Sequence, residues 1–525
     1  MAAEPLSPVA LFELVLLLLA MLIPLEMVAR RLRLPSAAAQ ILAGMALAFV
    51  PLEHRVQLDP DLILVLFLPP LLMSSAFFTV WRDFRTNLSV IGALAVGAVV
   101  FTTAAVGIVA HLVVPTLPWA VCFALGAIVS PPDALAAKAV LQRVALPRRV
   151  LVLLEGESLV NDASGLVLFR LAVAAALTGS FSLGGALTSF AVLSVGGIGL
   201  GLVLGWVASV LLTRLEETAL QAVATLLTAW ASYIIADRLG VSGVLSTVAC
   251  GLVLGWRQHA LLTAASRINA AAVWQAVEFV LESLVFVLIG LSLREVLLGR
   301  DFSLVSVAPA VAAVVAAVVV SRFVWLFATS YGPRLLGWPA RSPPAVLIVM
   351  GWAGMRGVVS LAIALSLPES LPGRPFVLIT TFAVILVTVL LQGATLAPLI
   401  RLLGLDKRGG SESGSMNEVE ARVRVAEAQL AAIRPLAFDE TGALRHPRLL
   451  EQYQYRASVM QRVRETEGGL PAERAAHFDL IVAAIAAGRA ELLRLHRSGE
   501  IHDTVLRSLE GELDVEELAA LRRRG

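Results

Sequence analysis

The sequence predicts an all-α membrane protein of about 13 transmembrane helices with inverted repeats and two discontinuous helices, plus a small helical cytoplasmic C-terminal domain. Three observations predict it. Of 525 residues, 58% are hydrophobic and only 15% are charged, with a mean hydropathy of +0.84. Soluble domains run at about 45–50% apolar and about 25% charged. Charge is also sparse from residue 9 to 403 and dense with both signs from 405 onward. The expected domains are therefore 1–404 in the membrane and 405–525 outside it. Finally, two of the apolar runs are broken by clustered proline or glycine.

A helix needs about 20 apolar residues to cross the hydrocarbon core. The candidate spans are 9–29, 35–51, 62–80, 88–113, 117–140, 150–177, 183–212, 218–237, 241–256, 271–298, 303–330, 343–367 and 375–403. The second and ninth are short and rich in Ala or Gly. The first is read as a retained span and not a cleaved signal, because residues 1–8 carry Glu4 and no Lys or Arg. With the N-terminus outside, sixteen basic residues from Arg30 to Arg408 fall in inside loops. Five, Arg55, Arg238, Arg294, Arg300 and Arg374, fall outside. The positive-inside rule thus predicts an external N-terminus and a cytoplasmic C-terminus, in the inner (plasma) membrane.

The fifth span is interrupted at Ser130-Pro131-Pro132-Asp133 and the twelfth at Gly351-Trp352-Ala353-Gly354-Met355-Arg356-Gly357. Two prolines remove two backbone donors and disfavour helix at the residue before them. A single kink or glycine packing would explain either break alone. Together they lie seven spans apart, an odd number that fits inverted halves, spans 1–6 and 8–13, with span 7 as linker. Broken helices at corresponding places in two halves point to a transport site.

Ionisable residues inside a membrane are costly and mark function. The sixth span holds Leu154-Glu155-Gly156-Glu157-Ser158-Leu159-Val160-Asn161-Asp162-Ala163. Glu155, Ser158 and Asp162 fall on one helical stripe, and Glu157 and Asn161 on the next. Asp162 is the candidate site for either a cation or a proton, since a desolvated carboxylate can hold both in competition. Arg356 in the membrane core needs a counter-charge, and Glu157 is the expected partner. Asp133 either neutralises a positive helix end or contacts a hydrated ion. Ser158 either ligates a hard cation through oxygen or makes an internal hydrogen bond. Asn161 is expected to fix helix contacts. Glu278 and Glu282 line a water-filled funnel or sit near a membrane surface.

These motifs resemble those of the bacterial sodium/proton exchanger family, the electroneutral branch of the monovalent cation:proton antiporters, over about residues 9–403. Glu157-Ser158-x-x-Asn161-Asp162 is the most specific, and Leu68-Pro69-Pro70-Leu71-Leu72 and Val285–Leu291 are weaker matches. The resemblance implies a homodimer with one site per protomer and an elevator-like movement. It implies that Asp162 binds the cation or proton with Ser158 beside it, that Glu157 pairs with Arg356, and that one cation is exchanged per proton, since Asn161 adds no second charge. The sequence departs in two places. Pro132 stands where many relatives have Thr, leaving only its carbonyl to help. Ser74, followed by Ser75, stands where many have an acidic residue.

The reading is a secondary antiporter, not an enzyme. It exchanges a monovalent cation, Na⁺ before Li⁺ or K⁺, for H⁺, with membrane lipid and a second copy as partners. A K⁺/H⁺ exchanger of the same fold and a non-transporting cation sensor are the alternatives. No cofactor, nucleic acid or metal beyond the transported cation is expected. Cys122 and Cys250, both inside apolar runs, read as packing residues. The segment after the linker Gly409–Ser415 suits amphipathic helices such as Asn417–Ile433 and Ala472–Arg497, as a regulatory element or a simple cap.

Overall fold

A computed structural model describes residues 8–32, 34–49, 60–133, 137, 141, 144, 146–179, 182–298, 304–332, 342–405, 418–439, 442–465 and 472–524. The chain divides into two compact units, Met1–Gly410 and Ser411–Gly525. Among the described residues the structure is helical, with one isolated bridge between Phe438 and Leu444.

Every predicted span carries helix. The first four are α1 (Pro8–Leu32), α2 (Ser36–Ala48), α3 (Pro60–Phe78) and α4 (Leu88–Val113), the last with a π-helical stretch at Ala93–Ala98. Next come α5 (Trp119–Val129), α6 (Arg148–Thr178), α7 (Leu183–Leu212), α8 (Thr218–Arg238) and α9 (Gly243–Leu261). The set closes with α10 (Ala264–Leu298), α11 (Leu304–Tyr331), α12 (Pro344–Trp352), α13 (Val358–Leu365) and α14 (Arg374–Leu402). Seven of them, α4, α6, α7, α8, α10, α11 and α14, are long and apolar enough by themselves to cross a membrane. α1, at 25 residues, also has the length, α3 and α9 at 19 residues each are close to it, and α2, α5, α12 and α13 reach it only with their flanks or as broken pairs.

Proline and glycine set the ends. Pro35, Pro118, Pro147 and Pro343 each stand immediately before a helix, where a missing N–H costs nothing. The 31-residue α6 stops at Gly179, whose φ of 68° lets its N–H return to the Ala175 carbonyl. Span five ends as helix at Val129, and most of its predicted second half, to residue 140, lies outside the described residues. Span twelve is helical on both sides of Ala353–Gly357.

Contacts sort the helices into two groups. In one, α3 packs on α9, α9 on α7 and α8, and α2 on α10. Glycine makes these approaches close. A Cβ on Gly201 would run into the Ser246 carbonyl, and one on Gly255 into that of Phe77. Small residues let membrane helices approach in this way, because lipid offers no hydrophobic drive between them. In the other group, α4 packs on α5 and α11, α5 on α6, and α11 on α12 and α14. Between the groups, α3 meets α6 and α13.

The second unit is built of α15 (Glu418–Leu436), α16 (Pro447–Glu465), α17 (Ala472–Arg497) and α18 (Asp503–Arg524). They pair as α15 with α16 and α17 with α18. Arg489 joins the latter pair, donating to Asp514 at 2.6 Å and Glu517 at 2.7 Å.

Candidate cation site

The two interrupted spans meet. The backbone N–H of Asp133 donates to the Met355 carbonyl at 2.7 Å. The Asp133 carboxylate lies so close to Gly357 that a Cβ there would overlap it. On α6, Gly165 is in turn pressed against Pro131. Each break therefore uses the other to satisfy backbone groups that proline or unwinding has stripped of helical partners, as buried polar groups require.

Beside this crossing is a cavity of about 40 Å³, on a scale where one water needs about 10–15 Å³. Its polar side chains are Ser75 of α3, Asp133, and Ser158 and Asp162 of α6. Apolar residues of α3 and α13, among them Leu68, Leu72, Val359 and Ala362, form the remaining wall. Asp162 is 9% exposed. Dimensions and donors suit a small cation with a water or two, since hard cations take oxygen ligands.

The structure thus brings Asp162, Ser158 and Asp133 to one cavity. Pro132 does not line it, and its carbonyl accepts from the Asn161 amide nitrogen at 2.6 Å. Asn161 therefore ties α6 to the first break. Glu155 is exposed, although Leu153, Leu154, Gly156 and Glu157 around it are buried. Ser74 is fully buried and absent from the cavity wall, where Ser75 stands instead. Glu278 and Glu282 are half-buried on α10 and do not line the cavity.

The expected Glu157–Arg356 pair is not made. Arg322 of α11 takes Glu157 with both terminal nitrogens, at 2.6 and 2.9 Å, with the carboxylate 1% and the guanidinium side chain 4% exposed. Arg322 also donates through Nε to the Met350 carbonyl at 3.1 Å. This fork-on-fork pair engages both carboxylate oxygens, and Glu157 makes no hydrogen bond to Arg356 among the described residues. Arg356 donates instead to the Gly354 carbonyl at 3.2 Å, and its backbone N–H to Thr388 Oγ1 at 3.0 Å. Sequence reasoning missed Arg322 because span 11 has no break to draw attention. The available signal was an arginine inside an apolar run, Val318-Val319-Val320-Ser321-Arg322-Phe323.

Two helices broken at mid-span and crossed beside a buried carboxylate define a membrane ion transporter. The chain matches the family described as "Sodium/hydrogen exchanger, transmembrane" over residues 17–402 and belongs to it. It is 31% identical to the Na(+)/H(+) exchanger YjcE of Escherichia coli, over 92% of this chain and 93% of that one. It is 32% identical to a sodium, potassium, lithium and rubidium/H(+) antiporter of Bacillus pumilus, over 74% of this chain and 61% of the relative. Its fold resembles that of the sodium proton antiporter MjNhaP1 from Methanocaldococcus jannaschii, with a TM-score of 0.61 and 20% identity. That likeness covers 75% of this chain and 98% of the other.

Proposed function

We propose that the protein exchanges one Na⁺ for one H⁺ and that Asp162 is the carboxylate that holds either. The observation that carries this is the placing of Asp162, nearly buried, in a small cavity with the oxygen-bearing side chains of Ser158, Asp133 and Ser75. A carboxylate so desolvated gains from any positive charge that fits, and a proton and a small cation exclude one another there. Each turn of the cycle then delivers one in exchange for the other.

Charge supports a one-for-one exchange. Among the described residues, Glu157 and Arg322 cancel in their bidentate pair, and Asn161 is neutral. Asp162 and Asp133 against Arg356 leave one negative charge, which one Na⁺ or one H⁺ neutralises. The two helix groups meet at the cavity through α3 on one side and α6 with α13 on the other. Relative movement of the groups would expose the site to alternate sides. The family resemblance and the basic loops favour a homodimer in the plasma membrane, N-terminus outside and the 405–525 domain in the cytoplasm.

K⁺ in place of Na⁺ is the second reading. It draws on the Bacillus relative's breadth of cations and on the cavity's hydroxyl at Ser75, where an added carboxylate would hold a small ion more tightly. Proteoliposomes loaded with a pH dye test both. Na⁺ is expected to dissipate the gradient at lower concentration than K⁺, and Asp162→Asn is expected to abolish exchange while eluting as folded protein. Exchange at wild-type rate in that variant would overturn the assignment.

A further inference from the structure

At the first break α5 ends against two prolines. In a continuous helix the Ala127 and Ile128 carbonyls would accept from the N–H groups of residues 131 and 132, and Pro131 and Pro132 have none. The Asp133 N–H, which would serve Val129, goes to the Met355 carbonyl instead. Inside a membrane, backbone groups freed by proline are satisfied by neighbouring helices and by Ser and Thr side chains.

Two hydroxyls restore what Pro131 removes. Ser130 Oγ donates to the Ala127 carbonyl at 3.2 Å and accepts from Thr103 Oγ1 of α4, also at 3.2 Å. Each hydroxyl has a single hydrogen to give, and both point the same way along the chain from Thr103 through Ser130 to Ala127. Bonds in such a chain strengthen one another in a low-dielectric interior. The site is dry, with Thr103 8% and Ser130 2% exposed. Thr103 is also held in register with α5, since its carbonyl lies so close to Gly126 that a Cβ there would overlap it.

The far end of this short segment is Asp133, which lines the cavity with Asp162, Ser158 and Ser75. Only the two prolines stand between Ser130 and Asp133, and their rings fix φ. Pro131 is moreover pressed on Gly165 of α6. A segment this stiff passes a displacement of Ser130 on to Asp133 and does not absorb it. The second break is secured by other groups, Arg322 Nε on the Met350 carbonyl and Thr388 Oγ1 on the Arg356 N–H.

We propose that Thr103, acting through Ser130, is a positioning residue that sets where the Asp133 carboxylate stands in the cavity, and thereby the affinity for the cation. Thr103 does not itself line the cavity. The effect on affinity rests on the cation-site reading above, whereas the placing of Asp133 does not.

Two measurements on the full chain test these separately. Thr103→Val keeps the side chain's shape and removes its hydroxyl, and Thr103→Ser keeps the hydroxyl. In nanodiscs, the peptide carrying the Ser130 and Asp133 amides is expected to exchange hydrogen about tenfold faster in Thr103→Val and at the wild-type rate in Thr103→Ser. In proteoliposomes, Thr103→Val is expected to raise the KM for Na⁺ about fivefold and leave kcat within about twofold, and Thr103→Ser to restore the KM. Unchanged amide exchange would overturn the proposal whatever the KM, and faster amide exchange with an unchanged KM would overturn the link to affinity. A wild type that transports neither Na⁺ nor K⁺, with the amide difference intact, would remove the cation reading and uphold the placing of Asp133. Should Thr103→Val not fold, Ser130→Ala breaks the same chain and is held to the same two outcomes.

Discussion

At the scale of residues, the site separates two carboxylates five positions apart on α6 into different work. Asp162 faces a cavity, whereas Glu157 faces α11 and is consumed by Arg322. Removing one member of a buried pair strands the other, at about 3–5 kcal/mol, while replacing both with apolar groups is often neutral. Arg322→Met is therefore expected to lower the melting temperature of the detergent-solubilised protein sharply. Glu157→Leu/Arg322→Met should recover most of the loss. A double variant as unstable as the single would show that the pair's worth lies elsewhere, in the Arg322 bond to Met350. The local periodicity of α6 sufficed to pick out Asp162 and Ser158, since residues four apart must share a face. It did not reveal Glu157's partner. Helical spacing says which way a side chain leaves its own helix and not which of two arginines on other helices receives it.

At the scale of elements, the proline pair and the glycine triplet marked both interruptions, because each removes a physical requirement of continuous helix. Their crossing was not legible. It rests on one backbone bond, Asp133 to Met355, and on the missing Cβ of Gly357. Among the triplet's glycines, Gly357 alone touches the Asp133 carboxylate. Gly357→Ala should therefore push that carboxylate from its place while leaving the surrounding helices packed. The expected result is folded protein with a KM for Na⁺ raised about tenfold, a cost of about 1.4 kcal/mol in ion binding, and little change in thermal stability. Gly351→Ala provides contrast, since its Cβ would meet the Phe323 ring and not the site. That variant should lose stability before it loses affinity. An unchanged KM in Gly357→Ala would separate Asp133 from the bound ion.

For the whole molecule, composition gave the membrane class, because solvation acts on long stretches and needs no tertiary detail, and the charge distribution predicted a division near residue 405. The observed boundary between the units falls at Gly410/Ser411. How many helices cross was less legible, since α2, α5 and α12 are shorter than a bilayer is thick. The proposed exchange has a consequence that only the intact molecule in a sealed membrane can display. If the site carries one positive charge in each direction, no net charge moves per cycle, and membrane potential does no work on the equilibrium. Were one net charge moved, 100 mV would contribute about 2.3 kcal/mol, which is about a 50-fold shift in the Na⁺ ratio at which exchange halts. Vesicles clamped with K⁺ and valinomycin at 0 and −100 mV, at a fixed pH difference, should therefore reach the same Na⁺ ratio. Leu or Val at position 161 should preserve that indifference, since Asn161 contributes a hydrogen bond and no charge. Asn161→Asp should add a second titratable group beside Pro132 and make the halting ratio depend on voltage. A wild-type ratio that shifts with potential would mean that a second charge travels, with Asp133 the nearest candidate to carry it.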